Sequence, residues 1–188
     1  MDKRNQLPEE IHTKRLLIRV AKPGDGVMFN QAIVESIEHL KDWLAWVTPI
    51  PSADESELSC RQGYARFLMN EDLMAFFILK SSGKLVGGGG LHYVHWGLRR
   101  FELGYWGRTN CLGDGLITEA VEALVQYAMK TLHANRVFLT TDERNLASQR
   151  LAERAGFEFE GTLRQDRNNA QGKLRNTRVY SVIRADVQ

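Results

Sequence analysis

Apolar positions along the chain switch between strand-like and helical periods, and the switches outline the fold. Residues 14–20 hold Leu17 and Ile18 at the centre of a β-type run that Pro23-Gly24-Asp25-Gly26 interrupts. Helical spacing then predicts a helix over 27–37 and a second over 37–47, where Leu40, Trp43, Leu44 and Val47 recur at intervals of three and four until Pro49 and Pro51. A third helix is predicted over 54–69, with Leu58, Tyr64, Phe67 and Leu68 inward and Glu55, Glu57 and Arg61 outward. The middle is β-rich: 75–80, 84–94 and 99–106 read as three strands, the first two joined at 81–84 as an antiparallel pair.

One helix has an unusually clean pattern. Leu116, Ala120, Leu124, Ala128 and Leu132 form one apolar row and Ile117, Val121, Val125 and Met129 the next, with Glu119, Glu122, Gln126 and Lys130 on the polar side. A strand over 136–141, a short helix over 146–155 stopped by Gly156, and strands over 157–163 and 179–184 complete the chain. This order predicts a mixed α/β fold: helices on both faces of a mostly antiparallel sheet, with one parallel βαβ unit made by 99–106, the long helix and 136–141. The 188 residues fit a single domain, with 1–12 a polar, loosely attached segment.

Composition narrows the function classes. Twenty-five Lys+Arg against 23 Asp+Glu, a net charge of +2, is too balanced for wholesale binding to nucleic acid or an anionic membrane. An apolar share of 43% excludes disorder. The best uninterrupted apolar run, 73–79, is about a third of a membrane span, and no apolar core follows the charged N-terminus. Cys60 and Cys111 have neither metal nor redox spacing, so a reducing, cytoplasmic setting is expected. His92 and His95 fall on opposite faces of a strand, so no metal site is expected from them.

The chemical signal lies in GYWGRTNCLGDGLITEA, residues 104–120. A strand ends, Gly113 and Gly115 follow, and an apolar helix starts at once. Such a turn exposes the first helical N–H groups, a site for phosphate or pyrophosphate, although a glycine loop also occurs simply to make the turn. Neither GxxxxGK[ST] nor GxGxxG fits here.

At these residues the chain resembles the GNAT-type N-acetyltransferases, and among them the RimJ/RimL-type ribosomal-protein N-terminal acetyltransferases. The resemblance rests on five motifs in order. They are T-x-R-L-x-I-R (Thr13 to Arg19), E-L-G-Y-W (Glu102 to Trp106), G-x-G-x-x-T-E-A (Gly113 to Ala120), N-x-x-S-x-x-L-x-x-x-x-G-F (Asn145 to Phe157) and E-G-x-L-R (Glu160 to Arg164). It implies acetyl-CoA as co-substrate, with Trp106, Gly107, Arg108, Leu112, Gly113, Asp114, Gly115, Leu116, Ile117, Asn145 and Ser148 around it, and no metal. Gly107, Leu112 and Asp114 depart from the family's usual residues, and Arg108 reads either as the cation that offsets Asp114 or as a solvated loop arginine.

In many relatives a tyrosine protonates the departing thiolate; the matching position here is Ala152, and the resemblance points instead to Ser148, which would otherwise bond locally in its helix. Asn145 reads both as a helix N-cap and as a cofactor contact. Glu102 is the candidate acceptor of the amine proton, or else a partner of Arg99 or Arg100. Trp43 and Trp46 read as core or as lining of the acceptor groove. Between 35 and 72 there are eight acids and three bases, which suits a basic acceptor or is a solvated face. The implied acceptor is the α-amine of a protein N-terminus, with a small-molecule amine as the alternative; a non-catalytic acyl-CoA-binding regulatory domain is the rival class. The chain is expected as a monomer or homodimer.

Overall fold

The computed structural model describes residues 6–187. Its strands are β1 (Glu10–His12), β2 (Leu16–Val20), β3 (Leu73–Leu79), β4 (Leu85–His95), β5 (Arg100–Gly107), β6 (Arg136–Asp142), β7 (Glu158–Asn168) and β8 (Leu174–Ile183). Its α-helices are α1 (Gly26–Leu40), α2 (Ala53–Leu68), α3 (Leu116–Lys130) and α4 (Leu146–Arg154). The eight strands form one sheet in the order β1-β2-β3-β4-β5-β6-β8-β7. Every adjacent pair is antiparallel except β5 and β6, the two strands that α3 connects.

Alternation along the strands divides the core into two layers. Ala75 and Phe77 of β3, Phe101 and Leu103 of β5, and Val137 and Leu139 of β6 pack with Ala120, Val121 and Leu124 of α3 and Leu151 of α4. Phe76 and Ile78 of β3 and Trp106 of β5 face the other way, against Phe29 and Ile33 of α1. The expected mixed α/β architecture, with one parallel pair, is therefore present.

Several expectations are corrected. The segment after residue 37 is not a second helix: α1 continues to Leu40, a turn follows, and only Ala45–Val47 coils again, as a 3-10 turn. In α2 the buried residues are Ser56, Cys60 and Gly63, while Leu58 and Leu68 are exposed. Small residues win that face because α2 lies close to its neighbours; a Cβ on Gly63 would stand 2.9 Å from the Met74 sulfur. Residues 7–12 are not loose: Leu7 is 2% exposed and donates its N–H to Asn70 Oδ1 at 2.8 Å, and β1 pairs with β2. Residues 1–5 lie outside the described residues. The β7–β8 hairpin is longer than expected, because its outer half is polar and exposed and carries no apolar alternation to read.

An ion pair ties β7 to β6 across the intervening β8. Arg136 grips the Glu160 carboxylate, with Nη2 at 2.5 Å from Oε2, and the Ser181 hydroxyl donates to Oε1 at 2.8 Å. Bonding to Arg136, assisted by Ser181, outweighs burial and holds this carboxyl at about 2. A carboxyl depressed in the folded state stabilises the fold above its unfolded value and loses that effect as pH falls through its folded value. Glu160→Gln should therefore flatten the acid dependence of the urea midpoint between about pH 4.5 and 2. An unchanged dependence would contradict the pairing.

Candidate functional site

Parallel pairing of β5 with β6 stops after Glu102 and Phe138. Both strands continue, β5 to Gly107 and β6 to Asp142, and their facing edges diverge around a cleft of about 700 Å³. Tyr105, Trp106 and Gly107 line one wall and Thr140, Thr141 and Asp142 the other. The start of α3 supplies Leu112, Gly113, Gly115, Leu116 and Ile117, and α4 supplies Asn145 and Ser148. Among these, Gly107 lies under Leu112: a Cβ there would stand 2.5 Å from Leu112 Cδ2, the end of a 42%-exposed side chain that would have to move aside.

The turn into α3 is an open cradle. Gly115, at the helix N-cap, has φ 73°, and Gly113 has φ 99°, conformations that L side chains rarely adopt. Among the described residues no backbone carbonyl accepts from the N–H groups of Gly113 through Thr118, which begins a helix with its donors free. The cradle is fastened from beneath. Glu119 accepts from Thr13 Oγ1 at 2.6 Å, from the Arg15 amide at 2.8 Å and from Arg15 Nε at 2.6 Å. Arg15 Nη1 also donates to the Asp114 carbonyl at 2.8 Å. Burial pushes the Glu119 carboxyl up, but these donors together hold it below its ordinary value. Glu119→Ala should cost about 2 kcal/mol of stability, since it removes three hydrogen bonds to one largely buried carboxylate. Chemical denaturation checks this; a loss under about 0.5 kcal/mol would contradict the fastening role.

Two hydroxyls meet on the α4 side. Tyr105 Oη lies 2.8 Å from Ser148 Oγ, a contact in which either hydroxyl can donate, and 3.2 Å from the Ser148 carbonyl, the other acceptor within reach of its single proton. Burial pushes the Tyr105 phenol up to about 12, against the opposing effect of its bond to Ser148. Asn145 caps α4, its Oδ1 accepting from the Ser148 amide at 3.0 Å. Tyr105 did not stand out in the sequence, because only the fold brings it to Ser148.

Glu102 stands just behind the cleft. Its Oε1 accepts from Thr140 Oγ1 at 2.9 Å, and Thr140 lines the cavity. Directly opposite Glu102 across the β4–β5 ladder is His92, whose Nδ1 is 2.7 Å from Asp72 Oδ1. Trp43, in the turn after α1, lines the cleft. Trp46 is not among the lining residues; 48% exposed, it packs its ring 5.9 Å from that of Phe29. The Arg108 side chain turns away from the cleft to Glu35 of α1, with Nη2 2.6 Å from Oε1, and donates to the Leu85 carbonyl. It therefore does not offset Asp114; the guanidinium beside the Asp114 backbone is that of Arg15.

The acids of residues 35–72 are largely engaged elsewhere. Glu35 pairs with Arg108, Glu38 with Lys41, Asp72 with His92, and Glu55 closes the capping box of α2. Glu57 accepts from the Gly24 and Gly26 amides and from Arg61. The charged lining of the cleft is instead cationic, with Arg150, Arg154, Arg167 and Arg175 against Asp142. Among the described residues no group of three His, Cys, Asp or Glu is placed to hold a metal ion, and no helix is long and apolar enough to cross a membrane.

Comparison with known proteins agrees with this fold. YdaF of Bacillus subtilis, provisionally named a ribosomal N-acetyltransferase, is 28% identical over 173 residues, 92% of this chain and 93% of its own. In fold, the chain superposes on RimL, a ribosomal-protein α-N-acetyltransferase solved with coenzyme A, with a TM-score of 0.87 at 19% identity, over 93% of this chain and 98% of RimL. The microcin self-immunity acetyltransferase MccE, solved with acetyl-CoA and AMP, gives 0.87 at 19% identity, over 95% and 98%. The family model described as "Acetyltransferase (GNAT) domain" matches residues 15–158, from the first strand of the cradle clasp to the end of α4 and beyond. The chain belongs to the GNAT acetyltransferase family, the acetyl-CoA-dependent N-acetyltransferases.

Proposed function

We propose that the protein transfers an acetyl group from acetyl-CoA to the α-amine of a protein N-terminus, as a cytoplasmic enzyme acting through this one cleft. The observation that carries the reading is the parting of β5 from β6, which sets Ser148 with Tyr105 on one side and Glu102 with Thr140 on the other. The residues fit the donor. Beyond Glu102 the β5 edge offers unpaired backbone groups to the amides of a pantetheine arm, and the free N–H groups from Gly113 to Thr118 suit its pyrophosphate. Space beside Gly113 is open: a Cβ there would meet nothing within 4 Å.

Acetyl-CoA supplies an activated thioester. The acceptor nitrogen bonds to the acetyl carbon as the carbon–sulfur bond breaks, and the amine gives up one proton. Glu102 accepts that proton, directly or through water, and the Ser148 hydroxyl donates a hydrogen bond to the departing sulfur. An α-amine, with a pKa of about 7.7–8.0, is partly neutral near pH 7, whereas a lysine at about 10.4 is nearly all charged. A site with one carboxylate and a serine is matched to the easier nucleophile. YdaF and RimL bear names of the same acceptor class.

The test offers acetyl-CoA with Ser- or Ala-initiated peptides, the same peptides blocked at the N-terminus, and a panel of small amines. Acetylation of the free peptides alone is expected. Turnover confined to small amines, or persisting on blocked peptides, would reject the α-amine. Binding of acetyl-CoA without any turnover would favour a regulatory domain on this fold.

A further inference from the structure

Arg175 of β8 is a cation without a hydrogen-bonded partner. Its side chain is 14% exposed, its Nε is enclosed and bonded to nothing, and among the described residues its guanidinium makes no side-chain hydrogen bond. The carboxylate beside it, Asp142, lies 3.9 Å from Nη1, beyond hydrogen-bond reach. Both Asp142 oxygens are already taken by Arg144, at 2.9 Å from Nε and 2.7 Å from Nη2. Burial accordingly pushes Arg175 below its ordinary value, opposed by Asp142 and Asp166 and reinforced by Arg167 and Arg144. Arg167 is itself occupied, its Nε 2.7 Å from Asp166 Oδ2. Buried cations are normally paired and hydrogen-bonded, because an unsatisfied one is costly. Arg175 lines the cleft, so an incoming anion can supply what the protein does not.

The register says where that anion would sit. Thr140, which holds Glu102, is opposite Val179 on β8. Arg175 is four residues further along that strand, about 13 Å at 3.3 Å per residue, less whatever its long side chain reaches back. A free amino acid, whose carboxyl carbon is two bonds from its nitrogen, cannot place its amine at Glu102 and span this distance. An extended peptide covers it in two to four residues.

We propose that the acceptor is a peptide N-terminus carrying an acidic side chain at its second to fourth residue, and that Arg175 binds this carboxylate and so selects the substrate. The inference rests on the acetyltransferase reading of the cleft and reverses the basic acceptor expected from the acidic stretch 35–72. A guanidinium meets a carboxylate as a planar fork, through two parallel hydrogen bonds, and the Nη1–Nη2 edge of Arg175, held by Asp142 only at 3.9 Å, is the edge that can make that contact.

The experiment measures kcat/KM for matched Ser-initiated peptides with Asp, Asn or Lys at each of positions two to four, alongside free glutamate and a glutamate dipeptide. The best Asp peptide should exceed its Asn counterpart roughly 10- to 100-fold, the size of one charge-assisted hydrogen bond, with the Lys peptide poorest. Arg175→Gln should erase that difference through acceptor KM, with acetyl-CoA affinity by calorimetry unaltered, and Arg175→Lys should restore part of it. Because Arg175→Gln removes an unsatisfied cation, its thermal midpoint should equal or exceed that of the parent, so a folding defect is not the cause of any loss. Equal rates for Asp and Asn peptides, a preference for Lys, or a difference that survives in Arg175→Gln would overturn the proposal. Acetylation of the glutamate compounds but of no peptide would reject it together with the protein acceptor, whereas peptides acetylated without regard to charge would reject it alone.

Discussion

Glu102→Gln is expected to lower kcat/KM about 100- to 1000-fold, within the range ordinarily supplied by acid–base groups, and to move the pH–rate profile, leaving the limb set by the acceptor amine's own protonation. The substitution keeps the shape of the side chain and an oxygen for the Thr140 hydroxyl, which donates to Oε1 at 2.9 Å, so β5 and β6 should part at the same point. What it removes is the capacity to take a proton from the acceptor nitrogen. Acetyl-CoA affinity should be unaffected, because the pantetheine would run along β5 beyond this residue. Thr140→Val serves as the companion: it frees the carboxylate without neutralising it, and its effect should be smaller. An unshifted Glu102→Gln profile would move the base elsewhere, and His92 on the neighbouring strand, held by Asp72, would be the next group to test.

Ser148→Ala is expected to lower kcat roughly 10- to 100-fold with cofactor affinity nearly intact, below the usual span for a proton donor because water can replace the hydroxyl. Tyr105→Phe should cause much of the same loss. The phenol, kept protonated at neutral pH by burial that raises it to about 12, has its proton available to fix the Ser148 oxygen 2.8 Å away. With the serine oxygen accepting from Tyr105, the serine proton is left to face the sulfur. If the two hydroxyls act as one unit, the double variant should be scarcely slower than the worse single variant. Additive losses would show that Tyr105 acts independently of Ser148, and an unchanged kcat in Ser148→Ala would leave Ser148 as a residue of the helix start only.

The parts of this molecule legible in the sequence are those where local pattern and tertiary packing agree. The rows of α3, the glycine turn from Gly113 to Leu116 and the cap at Asn145 are each specified by an uninterrupted local stretch of chain, and the structure forms them there. The motif pairing Thr13 and Arg15 with Glu119 also had a structural meaning that spacing alone did not disclose: it is a clasp across a distance of more than 100 residues in sequence. Where two segments had to meet, the pattern was silent. Tyr105 and Ser148 are 43 residues apart, and nothing in either neighbourhood announces their bond.

Charge was the most misleading signal. The acids of α1 and α2 look like an electrostatic surface when counted along the chain, yet Glu35, Glu55 and Glu57 are fastened to Arg108, to a helix start and to the turn before α1. The cations that do line the cleft come from α4, β7 and β8, which read as unremarkable polar segments. Likewise Trp43 and Trp46 share helical spacing without sharing a helix, because the chain leaves α1 at Leu40 and only Trp43 reaches the cleft.

Titration calorimetry with acetyl-CoA tests the central claim most directly. The account predicts one saturable site per chain, weakened when Gly115→Val forces a β-branched residue into the left-handed conformation at the head of α3, where φ is 73°. Absence of saturable heat up to millimolar acetyl-CoA, or binding indifferent to Gly115→Val, would contradict the placement of the donor in this cleft.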